Sequence, residues 1–155
     1  MLYLVIIICC LSFICGRLYE FLTSEKEREE IDRLKYQKEM LTLWEKKNIS
    51  LSNYFKNNDI HDIVIYGLGS YYNNFIEKVS DFTFNHIYLS DGNVYKQNEF
   101  LEHIYTKWEL LDLEFDIIIV TSVSHYLEIK KELLKLGISK EIISYSDLVY
   151  NAIKE

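Results

Sequence analysis

The residues best suited to chemistry in this chain stand at Gly67-Leu68-Gly69-Ser70, at Asp91 and at Thr121-Ser122. Two glycines one residue apart let the main chain turn sharply. They also bring its N–H groups, unobstructed by side chains, against an anion such as a phosphate. An acid 22 residues beyond Gly69 suits the hydroxyls of a ribose. The hydroxyls of Thr121 and Ser122 can hydrogen-bond a phosphate, a sugar or a base. Together these residues describe a pocket for a nucleotide-type ligand. Against the pattern stands Tyr72, at the place where a third glycine would let helix and strand pack closely. A tyrosine there must push the helix out or turn its ring away. The competing reading of the glycines is a strand-to-helix turn that binds nothing, and of Asp91-Gly92 a plain β-turn.

Other candidates carry less. Ser124 and His125 lie in the same loop as Thr121, with Ser124 expected to cap the helix that follows and His125 expected in its first turn. Tyr126 and Lys130 have the Tyr-x-x-x-Lys spacing of short-chain reductases, in which the lysine eases proton transfer by the tyrosine. Ser122 and Ser124 are too close in sequence to supply the upstream serine of that chemistry, and the same spacing is ordinary in a helix. His61, His86 and His103 read as strand-edge residues. All three cysteines, Cys9, Cys10 and Cys15, fall in the first apolar run, which removes a disulfide framework or a zinc site from the remainder.

The elements that would position the glycine turn and its partners follow from the hydrophobic pattern. Ile63–Tyr66 is a compact β-branched run, suited to a strand buried on both faces. Beyond Gly69, Tyr72, Phe75, Ile76 and Val79 recur at three- and four-residue steps, as on one face of a helix. Further strands are expected at Asn85–Leu89, Ile104–Tyr105, Asp116–Thr121 and Ile142–Ser144, the third of these being the strongest in the chain. Helices are expected after Ser50 or Ser52, over Lys107–Leu113, over Tyr126–Leu136 closed by Gly137, and over Asp147–Ile153. Alternation of this kind predicts an α/β domain over residues 50–155, a small parallel sheet of about five strands. Right-handed crossovers give the order 3-2-1-4-5, in which the first and fourth strands flank the switch point where ligands bind.

Two segments precede that domain. Leu2–Cys15 is apolar but for Ser12, and extension to Leu22 gives a helix of roughly 31 Å at ~1.5 Å per residue, enough to cross a bilayer core. No lysine or arginine precedes it, while Arg17, Lys26, Arg28, Arg33, Lys35 and Lys38 follow it. Residues 1–22 are therefore expected to be a single-pass anchor in the cell membrane, with the bulk of the chain on the cytoplasmic side. A buried core helix is the competing reading, since the apolar run itself is fourteen residues long. Residues 23–49 read as a helical stalk with opposite charges at helical spacing; its few apolar residues give only weak support to a homodimer. The net charge of −7, with no dense basic stretch, removes nucleic acid from the expected partners.

With these residues in place a resemblance is visible. MLTLWEKKNISLSNYFKNNDIHDIVIYGLGSYYNNFIEKV, with HIYLSDGN, FDIIIVTSV and EIISYSDLVY, resembles bacterial Rossmann-like modules associated with surface-polysaccharide and glycosyltransferase gene clusters. The likeness runs from Leu41 to about Tyr150. It is also similar to the nucleotide-binding half that precedes the catalytic domain of membrane-bound nucleotide-sugar dehydratases. The resemblance implies nucleotide or nucleotide-sugar binding at Gly67, Gly69, Asp91 and Thr121, and Tyr72 departs from it. The expectation is thus a membrane-anchored module that binds a nucleotide, a nucleotide-sugar or NAD(P) through Gly67, Leu68, Gly69, Ser70, Asp91, Thr121 and Ser122, without catalysis. The alternatives are a scaffold that recruits polysaccharide-biosynthesis enzymes to the membrane, and a small NAD(P)-dependent oxidoreductase or epimerase using Tyr126 and Lys130.

Overall fold

A computed structural model of the chain describes residues 15, 25, 28, 31–36, 38–43, 50–92 and 102–154. The chain divides into two units, Met1–Tyr36 and Gln37–Glu155. In the first, residues 31–36 are helical with Ile31 and Leu34 exposed. The expected membrane span, residues 2–22, lies outside the described residues except for Cys15. No helix among the described residues is long and apolar enough to cross a membrane.

The second unit is an α/β domain. In chain order it runs α1 (Leu51–Asn57), β1 (Asp62–Tyr66), α2 (Ser70–Lys78), β2 (His86–Ser90) and β3 (Ile104–Tyr105). A 3-10 turn at Glu109–Asp112 leads to β4 (Ile117–Val120), and a second at Val123–His125 to α3 (Tyr126–Lys135), β5 (Glu141–Ser144) and α4 (Tyr145–Lys154). The five strands form one sheet in the order β3-β2-β1-β4-β5, with every neighbouring pair parallel. This is the order that right-handed crossovers predict.

Side chains alternate across a strand, so the central runs feed two cores. Ile63, Ile65, Ile117, Ile119 and Ile143 join Leu51, Phe55, Phe75, Tyr145, Leu148 and Val149 from α1, α2 and α4 on one face. Val64, Tyr66, Ile118, Val120 and Ile142 join Tyr126 and Leu133 of α3 on the other. Residues 63–66 and 117–120 are all buried, which is why neither run shows a polar alternate. The first face is aromatic: Phe55 meets Phe75 edge-on at 6.3 Å and Phe84 at 5.0 Å, and Phe75 meets Tyr145 at 5.8 Å. Each such pair adds roughly 0.5–1.5 kcal/mol beyond the area it buries.

Helix ends follow local chemistry. Ser50 caps α1 by accepting the Ser52 N–H at 3.3 Å. Ser144 does the same for α4, accepting the Asp147 N–H at 3.1 Å and donating to the Asp147 carboxylate at 2.7 Å. Gly137, at φ +98, closes α3 as the sequence predicts: its N–H reaches Leu134 O at 3.1 Å and that of Ile138 reaches Leu133 O at 3.2 Å. Asp59 plays the same part after α1 at φ 54, with the Ile60 N–H donating to Phe55 O at 3.0 Å. One expected cap is absent. Ser124 does not cap α3, whose start carries no side-chain cap, because its hydroxyl meets the Nδ1 of His125 at 2.9 Å instead.

Candidate functional site

The ends of β1, β2 and β4 are tied to one another just beyond the strands. The N–H of Gly67 donates to Ser90 O at 2.8 Å, and that of Thr121 to Tyr66 O at 2.9 Å, so the parallel ladder continues one rung into the turn. The Thr121 hydroxyl is buried and donates to the carbonyls of Tyr66, at 3.3 Å, and Gly67. Thr121 therefore ties β4 to the glycine turn. Ser122 lies against Gly67 itself, and a Cβ built on that glycine would come within 2.9 Å of the Ser122 Cβ and 3.0 Å of its N. Gly67 also has φ +100, in the left-handed region. Both conformation and space demand a glycine there.

Gly69 differs. It stands at the N-cap of α2 with extended backbone, and a Cβ built on it meets nothing within 4 Å. Ser70 opens the helix and is exposed. Between the glycines, Leu68 buries its side chain in the aromatic-face core, while its N–H donates to Oδ2 of Asp91 at 2.7 Å. Gly67, Leu68, Gly69, Ser70, Asp91, Thr121 and Ser122, separate in sequence, thus come together at the carboxyl ends of β1, β2 and β4, the place where a ligand crevice of this fold would lie.

The sequence left two outcomes open for Tyr72. Its side chain is half-buried and packs against the aromatic core, where burial, and then Glu102, push its hydroxyl above the ordinary tyrosine range. Tyr71 is the more exposed of the pair, with its ring 6.2 Å from that of Tyr145. The tyrosine in the third-glycine position is thus accommodated by core packing, and nothing comes within 4 Å of a Cβ placed on Gly69.

Tyr66 is a member of the crevice that the pattern did not single out. It reads as one more strand residue, yet it is the last of β1, and its hydroxyl lies 3.9 Å from where a Cβ on Gly92 would be. Burial raises its pKa; Lys107 opposes this, while Glu132 and Asp91 add to it. Lys107 and Glu132 are themselves paired at 2.8 Å. Nothing local in the sequence announces this grouping.

The remaining candidates fall elsewhere. His125 is exposed, its Nδ1 3.4 Å from Ser122 Oγ. Tyr126 is buried, and its hydroxyl donates to Ile142 O at 3.1 Å while Lys130 Nζ donates to it at 3.1 Å. That proton is committed to a backbone carbonyl of β5, so the pair acts in packing α3 on the sheet. No group of three or more His, Cys, Asp or Glu that could hold a metal occurs among the described residues.

At the opposite, amino edge of the sheet lies a cleft of about 650 Å³ whose walls include Asp62, His86, Tyr88, Glu114, Asp116 and Lys140. The Nδ1 of His86 meets Asp62 Oδ1 at 2.6 Å. Asp116 accepts the N–H groups of His61 at 2.8 Å and Asp62 at 2.9 Å, staples that fasten the start of β1.

A family model described as C2185-like, N-terminal, matches residues 59–144, more than half of the chain. The chain belongs to this family. The C2185-like match runs from the loop before β1 to the last residue of β5, so it contains the whole sheet and every residue of the carboxyl-end crevice. No curated protein and no solved structure matches the chain.

Proposed function

We propose that this chain is a membrane-anchored cytoplasmic module that holds a nucleotide or nucleotide-sugar at the carboxyl-end crevice without turning it over, in the assembly of surface polysaccharide. The observation that carries the reading is the convergence of three strand ends on Gly67–Ser70, with open space over Gly69. A parallel sheet of this order binds ligands beyond the carboxyl ends of its strands, at the point where the order reverses. Here that point lies between β1 and β4, which are neighbours in the sheet. The anchor rests on the composition of residues 2–22, and the polysaccharide setting on the resemblance described above.

Equilibrium dialysis of the detergent-solubilised full chain against nucleosides, nucleotide-sugars and NAD(P) tests the reading. Saturable binding of at least one, abolished by Gly69→Trp, is expected. A well-folded chain that retains none of them, or binds equally well with the tryptophan in place, would overturn it.

A second reading, a scaffold that recruits polysaccharide enzymes to the membrane, draws on a different observation. Leu127 and Leu134, two turns apart on α3, are exposed, as are Trp108 and Leu111 in the loop before β4. Under that reading, Leu127→Ser with Leu134→Ser would release co-purifying polysaccharide enzymes while leaving dialysis results unchanged.

A further inference from the structure

The cleft at the amino edge of the sheet is floored by a row of side chains that the register sets. Asp62 of β1 is paired with His86 of β2. Ile63 pairs with Ile117 and Ile117 with Glu141, which brings Asp116 beside Asp62 and Lys140 beside Asp116. Across four strands, each about 4.8 Å from the next, the order is therefore His86, Asp62, Asp116, Lys140. Both acids are already committed. Asp62 meets His86 Nδ1 at 2.6 Å and accepts from Asn85 Nδ2 at 3.4 Å, while Asp116 accepts the amides of His61 and Asp62. Four groups in the cleft are left to meet a ligand: the outer ring nitrogen of His86, the Tyr88 hydroxyl, the Glu114 carboxylate and the Lys140 ammonium. None of them makes a hydrogen bond or a close ion pair among the described residues. The Tyr88 ring is held parallel to that of His86 at 5.7 Å and edge-on to Tyr105 at 5.5 Å.

The lining selects by elimination. It carries three carboxylates to one lysine, so it repels phosphates and carboxylates. Two of the three carboxylates are spent on protein donors, and no group that could hold a metal occurs among the described residues. The remaining groups mix a donor, Lys140, with acceptors, Glu114 and the outer nitrogen of a His86 whose Nδ1 proton goes to Asp62. Tyr88 both donates and accepts, and its ring gives the cleft an apolar wall. Sugars match such a surface, because each hydroxyl both donates and accepts while the ring's C–H face is apolar. We propose that the amino-edge cleft is a binding site for a neutral saccharide, whose hydroxyls meet Glu114, Lys140, Tyr88 and His86, with Asp62 holding the imidazole in place. Its volume, about 650 Å³, falls within the roughly 300–1,000 Å³ of small-molecule clefts. The cleft lies at the opposite end of β1 from Gly67–Ser70, so the assignment stands whether or not a nucleotide binds there.

The test titrates maltose, cellobiose and lactose into the full chain, held in a phosphocholine detergent that has no sugar head group. Histidine ring signals are followed by NMR, with that of His86 identified by its absence in His86→Ala. A saturable shift of the His86 signal with at least one disaccharide is expected. Glu114→Gln and Lys140→Met, both at exposed positions, should each weaken it at least about tenfold without moving the melting temperature. Gly69→Trp should leave the affinity as it is. No His86 shift with any of the three sugars would overturn the assignment, as would a shift that survives Glu114→Gln and Lys140→Met combined. The wild type alone gives a second reading, in which glucose binds more tightly than glucuronate or glucosamine. The reverse order would overturn the neutral class. A saturable His86 shift in a chain that retains no nucleotide on dialysis would uphold the cleft and defeat only the carboxyl-end reading.

Discussion

β1 is gripped at both ends by an aspartate beside a neighbouring strand, and the two grips differ in what surrounds them. At the amino end, Asp116 immediately precedes β4, accepts the N–H groups of His61 and Asp62, and returns its own N–H to Asp62 O at 2.8 Å. At the carboxyl end, Asp91 immediately follows β2 and accepts the N–H of Leu68 between two glycines. The first arrangement is reciprocal and ties strand start to strand start. The second abuts a glycine whose missing side chain leaves room for something else. The same pair of groups, carboxylate and amide, joins two strand starts at one end and a strand end to a glycine turn at the other.

The sharpest way to break this contrast is through the glycines. Gly67→Ala should lower the unfolding free energy by about 3 kcal/mol, since it combines a left-handed conformation with displacement of the Ser122 backbone. Urea denaturation measures it, and a loss below about 1 kcal/mol would mean that the turn relaxes easily. Next in size is Asp116→Ala, expected to cost about 1.5 kcal/mol through the two amides it releases.

The same residue gives a pH dependence. Burial alone would raise the Asp116 pKa, but the amides of His61 and Asp62, with Lys140, outweigh it and hold it below the usual range. Its contribution is complete above the unfolded value of about 4 and is lost as pH falls through the lower folded value. The acid limb of a melting-temperature curve should therefore be shallower in Asp116→Asn than in the wild type.

Smaller effects refine the contrast. Asp59→Gly should stabilise by about 0.5 kcal/mol by relieving a left-handed aspartate, visible as a small rise in melting temperature. Gly69→Ala should change stability by less than about 0.5 kcal/mol, since its Cβ enters open space. A large loss there would show that the clearance is needed for folding, and the two glycines would cease to be different in kind.

The strands were the most legible part of the sequence. Runs such as 63–66 and 117–120 are apolar throughout because both faces of the sheet are covered, and hydrophobic pattern reports burial directly. Their ends were less so, because pairing rather than polarity sets them. β1 begins at Asp62, paired with His86, and β5 at Glu141, paired with Ile117. The expected strand Asp116–Thr121 is shorter by one residue at each end, although the N–H groups of both end residues still donate to Asp62 O and Tyr66 O of β1. Lys107–Leu113 narrows to a 3-10 turn in which Glu109 accepts the Thr106 N–H at 2.6 Å.

The glycine and acid spacing picked out residues that the fold brings together, but not their partners. The partner of Asp91 is a backbone amide, and every residue but proline has one, so no letter in the sequence distinguishes it. The inward course of Tyr72 depends on a core built from α1, α2 and α4, far apart in the chain.

The rung that Gly67 and Thr121 add beyond the strands has a consequence for how the domain opens. Amides of the last ladder hydrogen bonds before a loop ordinarily exchange with solvent early, by fraying. Here both N–H groups lie where three strands meet, and beside them the buried Thr121 hydroxyl donates to the carbonyls of Tyr66 and Gly67. Their exchange should follow unfolding of the whole sheet, while the amides of 109–112 exchange through local opening. The junction of β1, β2 and β4 would then be among the last parts of the domain to come apart, a rigid floor where a fraying edge would be expected.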